Sequence, residues 1–163
     1  MKYFFAFYLL VGLSVPLSSF AGFTVPPVPN SHVSDQARVL SGSFKRSLNG
    51  ILSTVKNSRQ IELVILTVES LEGLAIEQAS IEIVDKWKLG TAAEDNGILL
   101  LLAMNDRKLR IEVGQGLEGT LTDVYSNRII QQTIVPLLKS GNIDQAIYLG
   151  AYQILQTADP TYD

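Results

Sequence analysis

The stretch "GQGLEGTLTD" (residues 114–123) sets Glu118 among three glycines with Asp123 close behind, and "EDNG" (residues 94–97) offers Asp95 and Asn96 just before a long apolar run. Oxygen-bearing side chains carried on glycine-rich turns suit a hard cation. Glycine lets the backbone turn so that carbonyl and carboxylate oxygens converge, and calcium or magnesium takes such oxygens as ligands. The candidate metal ligands are therefore Asp95, Asn96, Glu118 and Asp123, and the expected cofactor is a divalent cation, calcium before magnesium. The same residue types have a plainer reading: Asp95-Asn96-Gly97 as a turn, Asp123 as a first-turn acid favoured by a helix dipole, and Glu118 as a solvated charge.

The first six residues of that stretch also spell G-x-G-x-x-G, the outline of a dinucleotide loop. Such a loop needs a strand before it, a helix after it, and a second parallel strand with an acidic residue about 20 positions on to hold the ribose. No strand-like run follows the helix here. Glu118 inside the loop and Asp123 in the first helical turn also oppose a pyrophosphate, which wants bare N–H groups and positive potential. No nucleotide is expected.

Other chemistries are excluded by composition. There are no cysteines, so thiol catalysis and zinc–cysteine sites are ruled out, and His32 is the only histidine, with no nucleophile paired to it in the sequence. It reads as a surface residue. Trp87, Tyr125, Tyr148 and Tyr152 lie at helical spacings and read as packing residues. Arg107 and Arg110 flank a turn and could meet a phosphate or an acidic partner, with solvated charges as the default reading. No D-x-D, R-H-G or C-x5-R phosphatase signature occurs.

The positions of these residues follow from the periodicities. Phe44, Leu48, Ile51, Leu52 and Val55 recur at three and four, predicting a helix capped by Ser41 or Ser43. "IELVILTV" (residues 61–68) is a continuous β-branched and leucine run, as expected of a central strand covered on both faces. Ile76, Ala79, Ile83 and Trp87 form one stripe of a second helix, with Gly90 as its stop. "GILLLLAM" (residues 97–104) completes a βαβ unit, so the two strands should be parallel with a right-handed crossover. "NDRK" (residues 105–108) turns the chain into "LRIEVG", whose alternation predicts a half-exposed antiparallel edge strand. Thr122 then caps a helix through Ile129, Ile130, Ile134, Leu137 and Leu138 that Pro136 kinks or splits. Gly141 ends it, and Asn142 with Gln145 makes a capping-box pattern for a last helix.

The N-terminus carries one lysine, an apolar run broken by Pro16, and Ser19 and Ala21 at the spacing of a secretory cleavage site. A leader cut after Ala21 is expected, with an uncleaved membrane tether as the alternative. The remaining chain, residues 22–163, divides into an extended proline-rich arm (residues 22–40) and a single domain (residues 41–163). Without Lys2, 12 basic residues face 16 acidic ones, a net charge of −4, and there is no basic block. Nucleic acid is not an expected partner.

The ordered motifs "VPPVPN…VSDQARVLS", "WKLGTAAEDNGILLLLAMNDRKLRIEVGQGLEGTLTD" and "RII…IVPLLKSGN" resemble the TPM-domain family, which includes thylakoid acid phosphatase-like proteins and bacterial YgcG-like exported proteins. The resemblance spans about residues 25–156. It implies a three-layer α/β/α sandwich with a small mixed central sheet and C-terminal helices. It also implies an acidic site at Asp95, Asn96, Glu118 and Asp123. Relatives are described as acid phosphatases, as binders of calcium or other divalent ions, and as accessory proteins of membrane complexes. Many bacterial members continue into a transmembrane helix and a glycine-rich tail; this sequence ends at Asp163, so no tail-derived anchor and no membrane span after leader cleavage are expected. The combined expectation is an exported protein, periplasmic or secreted, acting as a cation-binding accessory module with an unidentified envelope or membrane-protein partner. The alternative is a weak metal-assisted phosphomonoesterase.

Overall fold

The structure is a computed structural model, and it describes residues 22–162. The expected leader lies outside the described residues. Four strands make one sheet in the order β1 (Val33–Asp35), β2 (Glu62–Val68), β3 (Gly97–Ala103), β4 (Lys108–Val113). The first three are parallel and β4 runs antiparallel to β3, with Leu99 opposite Glu112 and Leu101 opposite Arg110. The parallel βαβ unit and the antiparallel hairpin strand are those expected from the apolar runs.

Strand geometry sends alternate residues to opposite faces. Leu63 and Ile65 of β2 with Ile98, Leu100 and Leu102 of β3 pack under α1 (Gly42–Arg59) and the C-terminal helices. Val64, Leu66 and Val68 with Leu99, Leu101 and Ala103 pack under α2 (Ile76–Trp87). Ile65, Leu66 and residues 98–101 are fully buried, each stabilising the fold by roughly 1.5–3 kcal/mol. Burial on both faces is why these strands read as unbroken apolar runs. The result is an α/β/α sandwich. The connections β1-α1-β2 and β2-α2-β3 advance in the same direction along the sheet, yet α1 and α2 lie on opposite faces. The two crossovers therefore have opposite hands, and the right-handed rule holds for only one of them.

The expected arm is more than a lead-in. It contains β1, a three-residue edge strand whose end is fixed by Asp35. That carboxylate, 1% exposed, accepts from Thr67 Oγ1 (2.7 Å), Val39 N–H (3.0 Å), Leu40 N–H (3.2 Å) and Lys45 Nζ (3.0 Å). Burial pushes its pKa up, but the hydrogen bonds, Thr67 foremost, outweigh burial and hold it below the usual aspartate value. Upstream, Phe23 and Val25 pack on the α2 side of the sheet, and the indole Nε1 of Trp87 donates to Pro26 O at 2.9 Å. His32 is half-buried rather than on the surface, and burial lowers its pKa.

The caps follow sequence in two cases of three. Ser41 Oγ accepts from Phe44 N–H (3.3 Å) to start α1, and Thr122 Oγ1 accepts from Tyr125 N–H (3.4 Å) to start α3 (Asp123–Ile129). Asn142 makes no side-chain cap for α5 (Ile143–Ala158); its amide donates to Ser140 Oγ instead, and the capping box does not form. Where Pro136 was expected to kink the chain, residues Ile130–Ile134 widen into a π turn, with Val135 N–H donating to Ile130 O. The short helix α4 (Val135–Lys139) then begins with proline in its first turn, where a missing N–H is harmless. Among the described residues, no helix is long and apolar enough to cross a membrane.

Candidate functional site

The two stretches singled out for cation chemistry lie at the same end of the sheet. The loop entering β3 (residues 88–96) and the loop leaving β4 (residues 114–122) flank the ladder's end, where Gly114 N–H donates to Gly97 O at 2.8 Å. Two glycines allow the loops to interlock. A Cβ on Gly114 would overlap Asp95 O, and one on Gly116 would overlap Glu94 O. In their absence Gly116 N–H reaches Asp95 O (3.1 Å) and Gln115 N–H reaches Asp95 Oδ2 (2.9 Å). The third glycine of the G-x-G-x-x-G stretch, Gly119, would meet nothing within 4 Å. Gly114 and Gly116 therefore serve close approach of two backbones.

Between these loops and the C-terminal end of α2 lies an open groove of about 810 Å³. Asp95 and Glu118 line it, joined by Asp85, Glu94 and Glu112, which the sequence reading did not select. Five carboxylates thus share the groove with one cation, Lys88. The other two candidates sit elsewhere. Asn96 is 5% exposed and structural: its Oδ1 accepts from Thr91 N–H at 2.8 Å while its amide donates to Gln60 O and to Glu94 Oε2. Asp123 is exposed in the first turn of α3 and is not among the residues lining the groove. Glu112 had a readable signal, since alternation along β4 places it on the α2 face beside Leu99.

Glu112 is tied into a small network under α2. Arg110 Nε donates to Glu112 Oε2 (2.6 Å) and to Ser80 Oγ (3.1 Å), and Ser80 Oγ donates to Glu112 Oε2 (2.6 Å). The Glu112 hydrogen bond raises the Arg110 pKa against the effect of burial, and the fields of Glu77 and Asp123 act in the same direction. Arg110 is thus a paired residue, while Arg107 stays exposed. Trp87 is a packing residue as expected; Tyr125 and Tyr148 are exposed.

The groove presents carboxylate and backbone oxygens, the ligand type that hard cations take. Among the described residues, no three Asp, Glu or His side chains already stand close enough to form a cage.

Comparison with known proteins agrees with this architecture. The TPM domain matches residues 33–157. A search of curated proteins finds no significant match. Among solved structures, the N-terminal domain of a P. gingivalis protein is similar at 29% identity with a TM-score of 0.76, covering 86% of this chain and 96% of that one. The N-terminal domain of the cg2496 protein from Corynebacterium glutamicum (16% identity, TM-score 0.62, 85% and 86% covered) shares the fold. So does the BA42 protein of Bizionia argentinensis (16%, 0.59, 73% and 79%). With the domain matched across β1 and through nearly all of α5, this chain belongs to the TPM-domain family.

Proposed function

We propose that the acidic groove takes a divalent cation, calcium before magnesium, and that this exported TPM domain works as an accessory module, meeting an envelope or membrane-protein partner during assembly or maintenance. The observation that carries the reading is the gathering of three exposed carboxylates, Glu94, Asp95 and Glu118, on two interlocked loops, with Asp85 of α2 beside them and Lys88 as the lysine lining the groove. Fixed loops limit the entropy lost when side chains close on an ion. Export rests on the leader-like pattern of the first 21 residues. A metal-assisted phosphomonoesterase ranks second. A cation in the groove would polarise phosphoryl oxygens, but Ser80, the serine bonded to a carboxylate there, is 0% exposed and out of reach of an ester.

Thermal unfolding of the full chain in chelator, then with calcium or magnesium, tests the reading. At about 100 times its dissociation constant the ion stabilises by roughly 2.7 kcal/mol, a rise of roughly 10 °C at about 4 °C per kcal/mol for a domain this size. Asp95→Asn with Glu118→Gln should abolish the rise. No rise in the folded wild type would end the cation reading. Phosphate-ester turnover of about 1 per second or more, lost in the Asp95→Asn, Glu118→Gln double variant, would put the enzyme first.

A further inference from the structure

At the opposite end of the sheet from the acidic groove, the β3–β4 turn and α4 enclose a second cavity of about 480 Å³. Its floor is apolar, with Met104, Leu109 and Leu138 half-buried, and its charged lining residues are Arg107, Lys108 and Lys139. No acid lines it. This is a cationic rim on a chain whose net charge is −3. Among the described residues, none of these three forms an ion pair, so their charge at the rim is not neutralised by a bonded carboxylate. The acid nearest in sequence is held away. Asp106 accepts from Leu71 N–H (2.6 Å) and Ser70 Oγ (3.2 Å), so its carboxylate anchors the β2–α2 loop instead of neutralising its neighbour Arg107. Arg107 itself is held at φ +53°, a conformation uncommon for a residue with a side chain. The π turn at Ile130–Ile134 feeds directly into the α4 wall of the cavity, and such wide turns recur at functional sites.

From these observations we propose that this cavity binds an anionic single-chain amphiphile. Its carboxylate or phosphate head is held by Arg107 and Lys139, and its alkyl chain lies on Met104, Leu109 and Leu138. The guanidinium fork of Arg107 can take two oxygens of such a head at once. The cavity falls within the roughly 300–1,000 Å³ range of small-ligand sites. Its position, at the carboxyl end of β3, is also the end at which open α/β sheets commonly take ligands. The charge complementarity excludes a cationic amphiphile, and the apolar floor separates this site from a simple anion patch.

The test is titration of the full chain with decanoate below its micellar concentration, followed by amide chemical shifts. Decyl phosphate, decanol and inorganic phosphate serve as parallel probes. Decanoate and decyl phosphate should perturb residues 102–109 and 135–139, and each methylene between octanoate and decanoate should tighten binding about fourfold. Arg107→Glu combined with Lys139→Glu, both exposed positions, should leave the unfolding temperature near wild type and weaken decanoate at least about tenfold. Equal binding of decanol would show that the head is not recognised, and equal binding of inorganic phosphate would show that the chain is not. Either result overturns the proposal, as would undiminished binding to the folded double variant, perturbations mapping to the acidic groove, or no binding.

Discussion

Replacing Gly116 by alanine tests whether the glycine-rich stretch exists to let two loops touch. A Cβ at that position would lie on Glu94 O, a backbone atom that cannot rotate away as a side chain would. The loops must part, and two hydrogen bonds crossing between them weaken or break: Gly116 N–H to Asp95 O (3.1 Å) and Gln115 N–H to Asp95 Oδ2 (2.9 Å). At about 1 kcal/mol for each bond and about 1 kcal/mol or more for the forced displacement, the cost is about 3 kcal/mol. This corresponds to a fall of roughly 12 °C in Tm at about 4 °C per kcal/mol. Gly119 is the control, because nothing stands within 4 Å of its would-be Cβ. Gly119→Ala should be neutral or stabilising by up to ~1 kcal/mol through the unfolded chain's lost freedom. Thermal unfolding followed by circular dichroism reads both. Equal melting of Gly116→Ala and wild type, or an equal loss in Gly119→Ala, would refute the interlock.

Three further outcomes follow from the packing. Asp35→Ala strands Thr67 and Lys45 and should lower stability by about 3 kcal/mol in denaturant unfolding. Because the folded pKa of Asp35 lies below its ordinary 3.8, its contribution is fully present above that pH and is lost as pH falls through the lower folded value. The stability gap between wild type and Asp35→Asn should therefore be widest above pH 3.8 and shrink below it; a gap that widens on acidification contradicts the assignment. Trp87→Phe removes the donor to Pro26 O and should cost about 1 kcal/mol, with limited proteolysis cutting residues 22–28 faster than in wild type. Gly150→Ala pushes a methyl to 2.7 Å from Ile134 and should destabilise by about 1 kcal/mol, whereas in an Ile134→Ala background the same change should stabilise by up to ~1 kcal/mol, as measured by a double-mutant cycle.

How far the sequence could be read depended on whether local patterns or distant contacts decide each feature. Residues 61–68 and 97–104 were legible as strands because both faces are buried, leaving no polar alternation to mislead. β1 was not legible: three residues carry almost no periodicity, and its place in the sheet depends on Asp35 meeting Thr67. The failed Asn142 cap shows a similar limit, since an amide that fits a capping pattern found Ser140 closer to hand. For the site, residue chemistry alone marked Asp95 and Glu118, and the structure brings both to one groove. Asn96 has the right oxygen but spends it on Thr91 N–H, and Asp123 reads equally well as the helix-start acid it is. Glu94, Asp85 and Glu112 come from three separate elements, and only the folded sheet joins them. The basic-rimmed cavity was beyond reach for the same reason, as Lys139 of α4 and Arg107 of the β3–β4 turn line it from elements distant in sequence.

The most direct test of the cation-binding claim is a calcium titration of the full chain followed by amide chemical shifts and calorimetry. Saturable binding should perturb residues 91–97 and 114–118 together, and should disappear in the Asp95→Asn, Glu118→Gln double variant while its fold persists. Calcium shifts that spread evenly over surface acids, or that survive intact in the double variant, would contradict a cation site in the groove.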